Sequence, residues 1–144
     1  MAILRMDHVG VNVEDLDGAV AFFTELGMEE AGRTPVEGPW VDRVNGIDDV
    51  RVDIVMMRTP DGHGQLELTH FRSPAAIGGT SEPPNALGLR SVMFAVDDVD
   101  DTVARLRGHG GELLGEIAQY EDAYRLCYVR GPGGVIVALA EPLG

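Results

Sequence analysis

The stretch HVGVNVEDLD, residues 8–17, decides the fold, because it recurs as SVMFAVDDVD, residues 91–100. A shift of 83 positions, from residue 8 to residue 91, aligns residues 8–27 with residues 91–110 without a gap. An internal repeat of this kind indicates two copies of one supersecondary unit. The identical pairs are Val9/Val92, Val13/Val96, Asp15/Asp98, Asp17/Asp100, Val20/Val103, Ala21/Ala104 and Gly27/Gly110.

Each copy changes from a strand pattern to a helix pattern. In the first copy, Val9, Val11 and Val13 alternate with polar or small residues, which is the period of a half-buried strand. An Asp-rich stretch that can cap a helix follows, and Gly27 and Gly110 suit the left-handed position that ends one. Apolar residues spaced four and three apart then form one face of each helix. They are Leu16, Val20 and Phe23 in the first copy and Val99, Val103 and Leu106 in the second.

Three more strands are predicted after each helix. The segments VRVDIVMMRT and GQLELTHF flank the turn PDGHG, which is a hairpin signal. Residues 72–88 contain three prolines and three glycines and predict a linker. The fold class is therefore α+β, with tandem βαβββ modules over residues 1–71 and 89–144. The further strands are predicted at 28–34, 50–59, 64–71, 111–119, 123–130 and 134–140.

Composition limits the possible partners and compartments. The 144 residues carry a net charge of −13, and all 11 cationic side chains are arginines. This negative charge disfavours nucleic acid and anionic membranes and would favour a cationic ligand, but an acidic, solvated surface is the better explanation of it. No apolar run approaches the roughly 18 residues of a membrane span, and no signal-peptide pattern opens the chain. With Cys127 as its single cysteine, we expect a soluble, cytoplasmic protein and a buried thiol.

Paired βαβββ modules, with a histidine on the first strand and a glutamate on the fourth, resemble the vicinal oxygen chelate superfamily. The motifs DHVGVNV, QLELTH and GPGGVIVALAEP carry this resemblance to its glyoxalase I, bleomycin-resistance and extradiol-dioxygenase members. The resemblance implies that the modules form a cupped mixed sheet, whose concave side holds a small molecule, often on a divalent metal. It also implies a homodimer.

The resemblance also identifies where metal ligands would lie. His8 and Glu67 match two of the four ligand positions of metal-dependent members, whereas Ser91 and Ala138 occupy the other two. We therefore expect either no cofactor or a weakly held Fe, Mn, Ni or Zn ion. Three interpretations of His8 and Glu67 stay open: a weak metal pair, a metal-free polar pair able to act as acid and base, or a hydrogen-bonded pair without function.

Other side chains are candidates for contacts with a ligand in the predicted cup. An aromatic wall of tyrosines, apolar methionines and a tryptophan at the mouth would suit a flat molecule, although each of these residues can equally pack in the protein. The predicted ligand contacts are Asn12, Trp40, Met57, Ser91, Met93, Tyr120, Tyr124 and Tyr128.

Two function classes follow from these residues. The first is a pocket protein that binds, and in a resistance role sequesters, an aromatic or cationic small molecule. The second is a lyase, isomerase or oxygenase that uses His8 and Glu67 with a divalent metal or as acid and base. Because two of the four ligand positions lack a good ligand, the sequence favours binding by a small margin.

Overall fold

The computed structural model describes residues 2–79 and 81–144, and the chain forms two compact units, Met1–Gly78 and Gly79–Gly144. Both units have the predicted α+β composition, and each contains one four-stranded sheet. The first unit contains β1 (Val9–Asn12), α1 (Leu16–Leu26), β2 (Glu29–Glu37), α2 (Pro39–Asn45), β3 (Arg51–Arg58) and β4 (Gln65–Ser73). The second contains β5 (Ser91–Ala95), α3 (Val99–Arg107), β6 (Glu112–Tyr120), β7 (Tyr124–Arg130) and β8 (Ile136–Pro142).

The two sheets have the same topology. Their strand orders are β1-β4-β3-β2 and β5-β8-β7-β6. In each sheet the first strand pairs in parallel with the last, and the remaining pairs are antiparallel. The repeated βαβββ prediction is therefore confirmed, and each unit contains its own four-stranded mixed sheet.

Aspartate caps start the equivalent helices. Asp15 accepts a hydrogen bond from the Gly18 amide at 2.9 Å, and Asp98 accepts one from the Asp101 amide at 3.0 Å. Gly27, with φ of 120°, ends α1 as predicted. In the second unit the helix ends earlier than predicted, at Arg107, and the turn after it contains Gly110 with φ of 86°.

Each sheet buries one face against its helix. Helix α1 contacts β3 and β4, and α3 contacts β6, β7 and β8. The valine alternation of β1 has the predicted result, since Val11 and Val13 are buried whereas Asn12 is exposed. In α1 the buried face lies at Ala19, Phe22 and Phe23 and not at Leu16 and Val20, which are only half-buried. The largest fully buried side chains include Phe22, Phe23, Met57, Leu68, Leu106, Ile136 and Leu139.

The segment GPWVDRVNGI, residues 38–47, for which the sequence predicts a loop with a short helical turn, contains the helix α2. This helix begins at Pro39 and is followed by Gly46 in the left-handed conformation. The first two residues of the predicted linker, 72–73, belong to β4, so the linker is shorter than predicted. Among the described residues, no helix is long and apolar enough to cross a membrane.

Candidate functional site

The first unit brings the two predicted polar residues together. Strand β1 pairs in parallel with β4, with Gly10 beside Glu67. Because side chains alternate along a strand, Glu67 lies on the face opposite Leu66 and Leu68, which are buried on the helix side. His8 directly precedes β1, and its Nε2 lies 3.3 Å from Glu67 Oε2. The side chains of His8 and Glu67 are 35% and 29% exposed, so a ligand at the surface of this sheet can contact both of them.

A hydrogen-bond network extends from both ends of the His8–Glu67 pair. His8 Nδ1 lies 2.8 Å from Asp7 Oδ2, and Asp7 Oδ1 accepts a hydrogen bond from Arg5 at 3.0 Å. At the other end, the Thr69 hydroxyl donates to Glu67 Oε1 at 3.2 Å. The imidazole therefore lies between two carboxylates, one at each ring nitrogen.

Asp7 is held as an anion by its neighbours. The hydrogen bond with His8 is the main cause that lowers the pKa of the Asp7 carboxyl, and the hydrogen bond from Arg5 lowers it further. Sequence reasoning did not include Asp7 or Arg5 in the site. The only indication in the sequence was the adjacency of Asp7 and His8 in MDHV. Because neighbouring residues on an extended chain usually point in opposite directions, this adjacency did not predict a contact between their side chains.

The second unit has no carboxylate at the position of Glu67. Ala138 of β8 pairs with Met93 of β5, as Glu67 of β4 pairs with Gly10 of β1. Tyr128 of β7 pairs with Ala138 from the other side. Ala138 therefore has the same register position in the second sheet as Glu67 has in the first, and Met93, Ala138 and Tyr128 form a row across the second sheet at that position.

The residues present fit a metal only in part. Two ligand atoms about 2.1 Å from one ion and about 90–109° apart are separated by about 3.0–3.4 Å. The 3.3 Å between His8 Nε2 and Glu67 Oε2 fits two such neighbouring ligands. Within residues 2–79 and 81–144, however, no group of three or more His, Cys, Asp or Glu side chains is arranged to hold a metal ion. Protein sites that retain a transition metal usually supply three or four ligands.

The prediction for Met57 is wrong. Met57 is fully buried and pairs with Leu66, on the face that packs toward α1. Its neighbour Met56 pairs with Glu67, so Met56 lies on the face of the candidate site. Adjacent residues of a strand point to opposite faces of the sheet, so a prediction that is off by one residue names the methionine of the wrong face.

Helix α2 covers one end of the face that carries Glu67. Its Val41 is buried in a small cluster with Val50 and Val52, and Phe71 packs against that cluster. Trp40 lies on the same helix and is 55% exposed, so its ring is available to a ligand. Its role as a ligand contact stays a prediction.

The remaining predicted contacts lie on the sheet surfaces. Tyr120 pairs with Tyr124 across the β6–β7 turn, and Tyr124 and Tyr128 share one face of β7, as predicted from their spacing. Tyr120, Tyr124 and Met93 are 60%, 46% and 55% exposed. Ser91 is half-buried at the start of β5, and Asn12 is exposed at the end of β1. Their contact with a ligand stays a prediction.

Three other reactive side chains, Cys127, His70 and Glu141, are either buried or bonded to the backbone. Cys127 is buried, as predicted, and burial raises the pKa of its thiol. His70 Nδ1 lies 3.2 Å from the Val13 carbonyl oxygen, and Glu141 accepts a hydrogen bond from the Val99 amide at the start of α3. The side chains of His70 and Glu141 therefore contact backbone atoms and do not supply the missing metal ligands.

The chain matches one protein family over most of its length. Residues 5–139 match the model of the Glyoxalase/Bleomycin resistance protein/Dioxygenase superfamily. A crystal structure of a glyoxalase family protein from Bacillus cereus is 51% identical, with a TM-score of 0.95 over 100% of this chain and 99% of that one. A candidate glyoxylase from Mycobacterium bovis is 35% identical over 71 residues, or 47% of this chain. The match spans 27% of the length of that relative.

More distant structures share the fold alone. TnmS3, an antibiotic-binding protein from Streptomyces, is 22% identical, with a TM-score of 0.63 over 99% of this chain and 98% of that one. The fosfomycin resistance protein FosX from Listeria monocytogenes, complexed with Mn(II) and a dihydroxypropylphosphonic acid, is 14% identical. Its TM-score is 0.62 over 95% of this chain and 89% of that one. The same fold thus occurs in a binding protein and in a metal-bound resistance protein.

Proposed function

The chain belongs to the Glyoxalase/Bleomycin resistance protein/Dioxygenase superfamily, and we propose that it binds a small molecule with a cationic group and an aromatic part, without a resident metal. The observation that carries the proposal is the pair of His8 and Glu67, 3.3 Å apart and partly exposed, with Ala138 in place of a second carboxylate. Binding of this kind would serve sequestration, which requires affinity and no chemistry.

Charge supports a cationic ligand. Glu67 and Asp7 place two carboxylates around one imidazole, and the chain has a net charge of −13. A negative field raises the local concentration of cations and steers them to the surface. An ammonium group would donate charge-assisted hydrogen bonds to Glu67 and to His8, and such bonds are roughly twice as strong as neutral ones.

Exposed apolar and aromatic side chains support an aromatic part. In the first unit, Met56 shares the face of Glu67, and Trp40 of α2 is 55% exposed. Tryptophan offers a large aromatic surface with a polar tip, and methionine adapts to irregular apolar shapes. A ring that contacts these side chains would bury apolar surface.

The spacing of His8 and Glu67 favours one alternative, a metal-dependent lyase, isomerase or oxygenase. In that case His8 and Glu67 would hold the ion, which when bound would polarise an oxygen of the substrate. Substrate atoms and water would have to complete the ligand set, since Ser91 is a poor ligand and Ala138 has none. Without a metal, the same two residues can hold and transfer a proton.

The proposal includes a homodimer located in the cytoplasm. Members of this superfamily often dimerise, and this chain exposes several large apolar side chains that an interface would cover. Ile3, Leu4 and Met6 are 80%, 92% and 82% exposed near the start of the chain. Sedimentation equilibrium of the purified protein would measure the mass directly.

A charge-matched set of aromatic probes tests the binding proposal. Phenethylamine is cationic at pH 7, 2-phenylethanol is neutral and 3-phenylpropionate is anionic, whereas all three carry the same ring. Titration followed by amide NMR should give the tightest binding for the amine, with shifts centred on Gly10, Met56 and Glu67. Equal affinities for the three probes, or shifts confined to the helices, would overturn the proposal.

A further inference from the structure

The two nitrogens of His8 have unequal contacts. Nδ1 lies 2.8 Å from Asp7 Oδ2, whereas Nε2 lies 3.3 Å from Glu67 Oε2. Charge-assisted hydrogen bonds from nitrogen to a carboxylate are about 2.7–2.9 Å long, so only the contact with Asp7 has the expected length. Since an ionised carboxylate can only accept, the hydrogen in that bond belongs to His8 Nδ1.

The geometry points to Asp7 as a positioning residue, which holds His8 in the tautomer with hydrogen on Nδ1 and so presents Nε2 to a ligand as an acceptor. A neutral imidazole carries one N–H, so the Nε2 beside Glu67 then has a lone pair. Nε2 and Oε2 are thus two acceptors 3.3 Å apart. They repel each other until a donor or a cation lies between them, and a ligand with an ammonium or amidinium group meets that requirement.

Asp7 is well placed for this role because it is fixed from several sides. Its Oδ1 accepts a hydrogen bond from Arg5 at 3.0 Å, and its backbone oxygen accepts one from Gln65 Nε2 at 3.2 Å. Gln65 belongs to β4, the strand that carries Glu67. The backbone of Asp7 is therefore tied to the same strand as the carboxylate that His8 faces.

This inference deepens the proposed function, and the class of ligand it names rests on that function. The positioning role of Asp7 does not rest on the proposed function, because His8 adopts its tautomer in the absence of a ligand. The two can therefore fail separately.

Two-bond ¹⁵N–¹H correlation spectra of the ligand-free protein measure which imidazole nitrogen carries the hydrogen. At a pH where the ring is neutral, we expect an excess of the Nδ1–H form of His8 in the unchanged protein. In Asp7→Ala the ratio should reverse toward Nε2–H, which can then donate to Glu67. In Asp7→Asn the Nδ1–H form should return, because the amide oxygen still accepts.

His70 provides an internal control in the same spectra. Its Nδ1 lies 3.2 Å from the Val13 carbonyl oxygen, an acceptor, so His70 should show Nδ1–H in every variant and report that the fold is intact. The inference is overturned if His8 shows Nε2–H in the unchanged protein, or if Asp7→Ala leaves its ratio unchanged. If the ratio reverses as expected but phenethylamine does not bind, the positioning role stands and the binding function falls.

Discussion

Replacing Glu67 by glutamine should weaken binding of a cationic probe by a predictable amount. The change keeps the size of the side chain and its acceptor oxygen but removes its charge. A hydrogen bond to a charged group contributes about 1.5–3 kcal/mol and a neutral one about 0.5–1.5 kcal/mol. The side chain is 29% exposed, so solvent screens part of the difference, and about 1 kcal/mol remains. We therefore expect the Kd of phenethylamine to rise about fivefold.

Isothermal titration calorimetry at 0.15 M salt measures this change, with Glu14→Gln as the matched control. Glu14 is exposed, and its replacement changes the net charge of the chain equally. Since exposed charges beyond about 8 Å are screened at this salt concentration, the control should leave the Kd nearly unchanged. The neutral probe 2-phenylethanol should bind both variants alike. The reasoning is refuted if Glu67→Gln binds the amine as tightly as the unchanged protein, or if both variants lose affinity equally.

Three further predictions concern the framework that holds the site. Asp15→Ala and Asp98→Ala should each lower the free energy of unfolding by about 1 kcal/mol, because each removes a helix cap. Urea denaturation measures this loss, and a negligible loss in either variant would contradict the prediction. The Arg125 guanidinium lowers the pKa of Asp100 from its ordinary 3.8, so its stabilising contribution is present above that pH and lost as pH falls through the lower, folded-state pKa. Asp100→Asn should accordingly flatten the decrease in urea midpoint below pH 4, and an unchanged acid profile would argue against the pair. Cys127 should react with Ellman's reagent far more slowly in the native protein than in urea, and equal rates would show that it is accessible.

The repeat could be predicted from strand periodicity, whereas the pairing of His8 with Glu67 was implied by the resemblance to the vicinal oxygen chelate superfamily. Val9, Val11 and Val13 alternate, and this alternation alone predicts that His8 lies on the opposite face. The parallel pairing of β1 with β4 then places His8 beside Glu67. Ala138 and Glu67 have equivalent register positions because both units use the same strand pairing.

The methionines of β3 could not be assigned from sequence because both faces of this strand are covered. Val55 and Met57 are buried toward α1, while Val52 on the other face is buried in the cluster that includes Val41 of α2. Two buried faces remove the polar alternation that would distinguish them. Only the pairing of Met56 with Glu67 identifies which methionine shares the face of the site.

The contact between Asp7 and His8 was beyond sequence reasoning for a different reason. Asp7 lies two residues before the start of β1, so strand alternation does not determine where its side chain points. The approach of Asp7 and His8 depends on rotamers and on the tie of the Asp7 backbone to Gln65. A local sequence pattern contains neither kind of information.

Metal content tests the central claim, that His8 and Glu67 anchor a ligand without a resident metal. Protein purified without chelator is incubated with Fe, Mn, Ni or Zn, dialysed and measured by inductively coupled plasma mass spectrometry, with His8→Ala and Glu67→Ala alongside. We predict that the unchanged protein retains far less than one equivalent of any metal, and no more than the two variants. Near one equivalent in the unchanged protein, lost in both variants, would contradict the claim and favour a metalloenzyme.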